Sequence, residues 1–434
     1  MQTATFAEAL AVWWRIGLLS FGGPAGQIAL MHRIIVEQKK WLSEARFLHA
    51  LNYCMLLPGP EAQQLATYVG WLLHGVRGGV AAGLMFVLPG ALAILAFSWV
   101  YVLLGDVQLV EGLFLGLKAA VIAIVVQALI RMARSALQGV LKPVLAVAAF
   151  LALFAFALPF PLVVLSAGII GYCSARWPGR DLHEDTSGAS DQIILDTVNR
   201  IGTGRAALLC LLLWMGTIGV LSLMLGNDNV YTQIATFFSK MAMVTFGGAY
   251  AVLAYVAQQG VETFQWLRAE EMLDGLGLAE TTPGPLILVT QFVGFLAAYR
   301  DSGLEPSLLA ATLGAALTTW VTFLPCFFWI FAGAPYVERL RGQHLLSAAL
   351  AAITAAVVGV IANLSLWFAI NAVFPVRVRY TGFGMDMLLP EFSSLNVEML
   401  ILSIIAFVLV FAFRIGILPL LGICSGLGAV WALS

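Results

Sequence analysis

Apolar runs dominate the chain, and polar or helix-breaking residues divide them into two kinds. Six stretches, Gly83 to Leu104, Ala119 to Ile130, Ala206 to Leu225, Leu308 to Ala332, Ser347 to Phe374 and Met399 to Phe413, are almost free of charge. Several exceed the roughly 20 apolar residues that an α-helix needs to cross a bilayer. Other runs are interrupted. Thr5 to Ser20 carries Glu8 and Arg15, breaks at Gly22-Gly23-Pro24 and resumes from Ala25 to about Glu37. Phe47 to Leu57 is short for a crossing, stops at Pro58-Gly59-Pro60 and resumes from Glu61 to His74. Glycine weakens a helix, a proline disfavours helical geometry in the residue before it, and proline suits the first position of a new helix. Each break therefore predicts two half-helices meeting at exposed backbone. At membrane depth such backbone is tolerated only where protein buries it or water fills a cavity.

Both breaks recur. Ser20-Phe21-Gly22-Gly23 returns as Thr245-Phe246-Gly247-Gly248 and Pro58-Gly59-Pro60 as Pro283-Gly284-Pro285, each 225 positions later. The same offset carries Trp41-Leu42 to Trp266-Leu267 and Arg15 to Lys240. One residue then drops out, and Tyr68 to Leu72 falls on Phe292 to Leu296; further on, Leu88-Pro89 answers Leu324-Pro325 and Ala119-Ala120-Val121 answers Ala355-Ala356-Val357. Uninterrupted crossings are expected at about 77 to 104, 107 to 130, 142 to 157 and 160 to 176, with one more, about 203 to 225, that has no partner. The fold expected is an all-α polytopic integral membrane protein built from two repeats with broken or re-entrant helices. Residues 1–176 form the first repeat, 177–228 a polar cytoplasmic linker with a connecting transmembrane helix, and 229–434 the second repeat. If each repeat crosses an even number of times, the single extra helix inverts the second relative to the first.

Composition narrows the class. With 61% hydrophobic and 10% charged residues the chain cannot cover a soluble globule, where about a quarter of residues are charged. A net charge of −1, with no basic stripe, gives no reason to expect a nucleic-acid partner. Met1 to Glu8 lacks a basic leader, so no cleaved signal peptide is expected. The five cysteines are scattered singly through apolar segments, so no disulfide framework, metal site or cofactor is expected. Arg33, Lys39, Lys40 and Arg46 flank the early loop of the first repeat, whereas the matching loop of the second carries Glu262, Glu270, Glu271 and Asp274 against Arg268. Basic loops tend to stay cytoplasmic, which also assigns Arg131, Arg134, Lys142, the linker and the loop of Arg339 and Arg341 to that side.

Inverted repeats with paired broken helices are a recurrent plan of secondary transporters, with substrate held where half-helix N-termini point. Four such N-termini are expected, at about Pro24, Pro60, Ala249 and Pro285. Their unpaired N–H groups and positive dipole ends suit an anion. Arg15 precedes Gly22 by two turns and Lys240 occupies the equivalent place. A charge inside an apolar span costs ~2.5–3.5 kcal/mol on insertion scales and usually lines a cavity, so two matched cations would suit a dianion. Both could instead snorkel to the interface or pair with an acid such as Glu8.

The candidate anion ligands are thus Arg15, Ser20, Gly22, Gly23, Gly59, Glu61, Gln64, Lys240, Thr245, Gly247, Gly248, Thr282 and Gly284. The Ser20 and Thr245 hydroxyls could donate to an oxyanion or bond back to their own helices. Glu61, at a half-helix start, either partners the dipole or titrates during transport, and Glu280 is a second candidate for proton coupling.

Ser20-Phe21-Gly22-Gly23-Pro24 with His32-Arg33, Pro58 to Gln64 running on to Tyr68-Val69-Gly70-Trp71, Thr245 to Gly248 and Thr282 to Pro285 together resemble the chromate ion transporter family in its two-domain, long-chain form. Ala249 departs from the pattern, standing where the first repeat has Pro24. The resemblance covers nearly the whole chain. It implies a multi-pass protein of the cell inner membrane that exports chromate, a tetrahedral dianion close to sulfate in shape, and so confers chromate resistance. Sulfate or another small oxyanion is the alternative substrate. A homodimer would follow only from how often membrane transporters pair. Two other readings compete: an anion channel using the same pore, and an intramembrane chromate reductase, against which stands the lack of a flavin, dinucleotide or haem motif.

Overall fold

The computed structural model describes residues 4–21, 23–105, 107–176, 200–246, 249–301, 303, 307–334, 344–382 and 385–433. Gly22, Gly247 and Gly248, most of the linker, and Arg339 and Arg341 lie outside the described residues. The chain is an all-α polytopic membrane protein. Five of its helices are long and apolar enough to cross a bilayer: Glu61–Leu104, Gln108–Ala136, Gly202–Leu225, Leu308–Gly333 and Leu345–Val373.

Each predicted break is found. In the first half α1 (Phe6–Leu19) stops before Ser20, and α2 (Gly23–His32) continues as a π-helical turn over Arg33–Gln38. Next come α3 (Glu44–Leu56), ended ahead of Pro58, and α4 (Glu61–Leu104), in which His74 and Gly75 leave helical geometry and divide a half-helix from a full crossing. After α5 (Gln108–Ala136) the half closes with α6 (Leu141–Phe154) and α7 (Phe160–Ser174). The extra helix, α8 (Arg200–Leu225), follows. The second half repeats the series as α9 (Val230–Val244), α10 (Ala249–Ala257) with a π-helical turn over Gln258–Thr263, and α11 (Ala269–Thr281). A short 3₁₀ turn at Leu286–Leu288 then leads into α12 (Val289–Asp301), α13 (Leu308–Gly333), α14 (His344–Val373), α15 (Val397–Phe411) and α16 (Ile417–Leu433).

The repetition reaches local detail. The two π-helical turns lie 225 positions apart, and Lys40 (φ 51°) and Gln265 (φ 54°), also separated by 225, both take the left-handed conformation. Ser43 precedes α3 and caps it through its hydroxyl; its equivalent Arg268 precedes α11, where the Arg268 backbone N–H donates to Glu271 at 2.7 Å. The sequence assigned Glu271 and Asp274 to a loop. They stand instead within α11, both buried, because half-helix α11 begins directly after the buried Trp266-Leu267 anchor.

Within each half, small residues let helices touch backbone to backbone, as is common where lipid supplies no hydrophobic drive for association. Gly70 and Gly78 meet at the α4 bend, and their counterparts Gly294 and Gly314 meet between α12 and α13. The closing helix pairs are exchanged between halves. α5 packs on α15 and α16, with Gly116 against the Cys424 carbonyl, while α14 packs on α6 and α7, with Gly171 against Ala348 and Ala352.

One element was absent from the sequence reading. Strands β1 (Arg377–Gly382) and β2 (Met385–Pro390) form an antiparallel hairpin between α14 and α15, pairing Arg377 with Pro390 and Gly382 with Met385. The Asp386 N–H donates to the Ala155 carbonyl at 2.9 Å, tying the hairpin to the bend after α6.

Candidate functional site

Where the broken helices meet, the halves exchange a matched pair of backbone hydrogen bonds. The Gly284 N–H donates to the Ser20 carbonyl at 2.8 Å and the Gly59 N–H to the Thr245 carbonyl at 2.9 Å. Both donors and both acceptors are equivalents at the 225-residue offset, so each contact becomes the other when the halves are interchanged. Such a self-complementary exchange is what a two-fold relation between like units produces. Gly59 (φ 122°) and Gly284 (φ 96°) adopt backbone conformations that an L side chain strains to reach. Here the sequence expectation is corrected: their N–H groups are engaged between the halves and are not free for an anion.

All four expected helix starts converge on this junction. Pro24 and Gln27, Gly59 to Ala62, Thr245 and Ala249, and Pro285 to Ile287 line one void of about 20 Å³. That is room for about one water. The first N–H groups of each helix lack intrahelical partners and carry the positive end of the dipole, so the backbone contributes positive potential at a junction that also holds Glu61.

A cavity of about 390 Å³ adjoins the void, sharing Pro24, Glu61 and Ala249 with it. Gly23 (φ 76°), Gln127, Arg131 and Tyr250 also line it. Gln127 and Arg131 lie one turn apart on α5 and so share a face. The Tyr250 hydroxyl donates to the Glu280 carboxylate at 2.6 Å, and Arg131 is the cation whose charge acts on both groups. Glu280 itself is buried, at 3% exposure. A third, more open space of about 750 Å³ shares Gln127, Arg131 and Ser135 with this cavity and adds Arg134 and Arg414.

Several predicted ligands stand elsewhere. Arg15 and Lys240 are exposed and line none of these spaces. α1 buries Val12, Trp13 and Ile16 and α9 buries Phe237, Phe238 and Met241, so helical periodicity turns both cations outward, as the snorkelling alternative requires. The Ser20 and Thr245 hydroxyls bond back to the carbonyls of Ile16 (2.6 Å) and Met241 (2.7 Å), so neither is offered to a ligand. The Gln64 side-chain amide donates to the Pro58 carbonyl at 2.7 Å and braces the turn. The Thr282 hydroxyl, buried, donates to the Ala279 carbonyl at 3.3 Å. Of the predicted residues Gly23 and Glu61 line the cavity, whereas Glu280 stands behind its wall, bonded to Tyr250.

Gln27, Gln127, Arg131 and Tyr250 were not among the expected ligands. The side-chain amide of Gln27 bonds the Gly284 carbonyl at 2.7 Å, a contact across 257 positions that no local pattern encodes. Gln127 and Arg131 did carry a signal. They sit four apart on a helix of 29 residues, longer than a crossing needs, where polar side chains on one face mark a wet or protein-lined surface.

In the second half, the helix register that puts Ala355 on Ala119 puts Asn363 on Gln127 and Trp367 on Arg131. Both line a separate cavity of about 280 Å³ beneath the hairpin, with Glu262, Arg377, Arg379 and Asp386. Arg379 donates to both Asp386 oxygens, at 2.7 and 2.5 Å. Those hydrogen bonds hold the Asp386 carboxyl below its usual range and raise the Arg379 guanidinium.

Comparison with known proteins gives the lineage. A family model described as "Chromate transporter" matches residues 7–172 and 232–430. The chromate transport protein of Cupriavidus metallidurans is 27% identical over 403 residues, covering 92% of this chain and 91% of that protein. A probable chromate transport protein of Synechococcus elongatus is 28% identical over 354 residues, 80% of this chain and 81% of the relative. The chromate transport protein of Pseudomonas aeruginosa is 30% identical over 365 residues, 82% and 79% respectively. No solved structure matches the chain. The two matched segments fall on the two structural halves, and with the paired breaks they lead to one conclusion: this chain belongs to the chromate transporter family, in its two-domain, long-chain form.

Proposed function

We propose that the protein is a secondary transporter that exports chromate across the inner membrane and so confers resistance to it, with sulfate as a second substrate of like shape and charge. In this reading residues 1–176 and 229–434 are repeats of opposite orientation, joined through 177–228. One observation carries the proposal: four helix N-termini from both halves meet at a constriction beside a cavity that holds Arg131 and Gln127. Backbone dipoles and one guanidinium recognise an oxyanion without needing a metal. The basic flank of α5 belongs on the cytoplasmic side by the charge rule, which supports loading from the cytoplasm.

The constriction favours a carrier over a channel. A void of about 20 Å³ admits one water and no tetrahedral oxyanion, so passage requires the halves to shift. Tyr250 and Glu280 suit a part in that shift, since an arriving dianion competes with the Glu280 carboxylate for the field of Arg131. In this reading Glu280 and Glu61 carry the coupled proton, supported by their position beside Tyr250 and the helix starts.

Uptake of labelled chromate and sulfate into inverted vesicles, with imposed proton and electrical gradients, tests this. Wild-type protein is expected to accumulate chromate saturably and against its gradient. Arg131→Gln is expected to lower apparent affinity at least about tenfold, the loss of one charge-assisted contact worth ~1.5–3 kcal/mol. Flux that fails to saturate or never runs uphill would establish the channel instead.

A further inference from the structure

The open space beside the inner cavity brings together three arginines from both halves of the chain. Arg131 and Arg134, three positions apart, share a face of α5, whereas Arg414 follows α15 in the second half. Arg414 holds a left-handed φ of 53°, a conformation uncommon outside glycine and worth attention at functional sites. No acidic residue lines the space, and none of the three arginines enters an ion pair among the described residues. Arg134 and Arg414, with Arg131 shared between this space and Glu280, focus a positive field around one concavity and offer planar forks that match oxyanion geometry.

The cluster has no counterpart at the hairpin cavity. At the equivalent cavity Trp367 replaces Arg131, and Arg379 is neutralised by Asp386. Gln127, Arg131 and Ser135 line both the open space and the inner cavity, so the two adjoin across these side chains.

We propose that Arg134 and Arg414, with Gln127 and Arg131 behind them, form an outer tetrahedral-oxyanion site that loads the inner cavity. The inference rests on the transporter reading and adds a subsite and an order of events to it. An oxyanion binds first between Arg134 and Arg414, then passes to Arg131 and the helix starts. Lipid phosphates share this chemistry, so the test separates the two sources.

Wild type, Arg134→Gln/Arg414→Gln and Arg134→Lys/Arg414→Lys are compared as full-length protein in two arms. One arm is equilibrium binding of labelled sulfate and chromate in neutral detergent. The other is transport in vesicles of phosphatidylcholine alone and in vesicles containing an anionic lipid. In phosphatidylcholine the glutamine pair is expected to raise the half-saturating chromate concentration about tenfold, flatten its salt dependence and preserve the maximal rate, since field focusing acts on encounter. The lysine pair is expected to recover most of the salt dependence. An unchanged half-saturation in phosphatidylcholine overturns the proposal, and so does a defect confined to anionic vesicles, which assigns the arginines to lipid headgroups. Wild-type protein that binds oxyanion through these arginines yet moves none overturns the transporter reading and leaves the binding site standing.

Discussion

Gly59 shows how much a single position carries in this fold. A Cβ there would meet the Cys326 sulfur and the Gln64 amide, both at 2.9 Å, on a backbone already at φ 122°. Gly59→Ala is expected to cost ~1–3 kcal/mol through backbone strain and to loosen the Gly59–Thr245 contact, lowering both the melting temperature in detergent and the transport rate. Arg15 and Lys240 should behave oppositely. Because both face outward, Arg15→Gln and Lys240→Gln are expected to keep chromate affinity within about twofold of wild type, the usual small effect of exposed positions. A large affinity loss in both would return these cations to the binding site.

α11 is the element on which buried charge concentrates: the buried acids among the described residues, Glu271, Asp274 and Glu280, all lie on it. Their equivalents in the first half are Arg46, His49 and Met55, so the repeats have diverged in charge while keeping their backbone. Asp274 accepts from the Tyr101 hydroxyl at 3.0 Å and stands 3.5 Å from the Lys118 ammonium on α5. Breaking one side of a buried pair strands the other charge, at ~3–5 kcal/mol, whereas replacing both with neutral groups of like size is often tolerated. Asp274→Asn alone is expected to lower the melting temperature sharply, and Lys118→Met/Asp274→Asn to recover most of it. Equal melting of the single and double variants would mean the pair is not coupled.

The hairpin offers a contrast at water's edge. Since Arg379 holds Asp386 below the ordinary carboxylate value, the pair contributes stability above about pH 4 and loses it as pH falls through the depressed folded value. The stability difference between wild type and Asp386→Asn is expected to be present at pH 7 and to shrink progressively as pH falls below about 4, followed by thermal unfolding across that range.

For the whole molecule, the exchanged closing helices matter most. α5 is covered by α15 and α16 of the other half, and α14 by α6 and α7, so each half supplies much of the packing surface of the other's long helix. Residues 1–176 expressed alone are therefore expected to be degraded or to aggregate. Co-expression with 200–434 is expected to restore both the fold and chromate flux, read by co-purification and vesicle uptake. A stable, monomeric first half would show that the exchange is dispensable.

The sequence by itself determined the class, the duplication and the four breaks. Apolar length, Gly-Gly and Pro-Gly-Pro act through local backbone preference, which needs no partner to be read. It also predicted that the four helix starts share a purpose, and they do converge on one void. Only tertiary structure decided which groups face it. Arg15 looked like a ligand because it is a charge in an apolar run, yet facing is fixed by which side of α1 packs, and Trp13 and Ile16 take the inside. Gly59 and Gly284 looked like free donors until each found a carbonyl of the other half, a pairing set by contacts more than 180 positions apart in sequence. Arg131 read as a loop-flanking charge because its neighbours in space, Pro24, Ala249 and Tyr250, come from helices far along the chain.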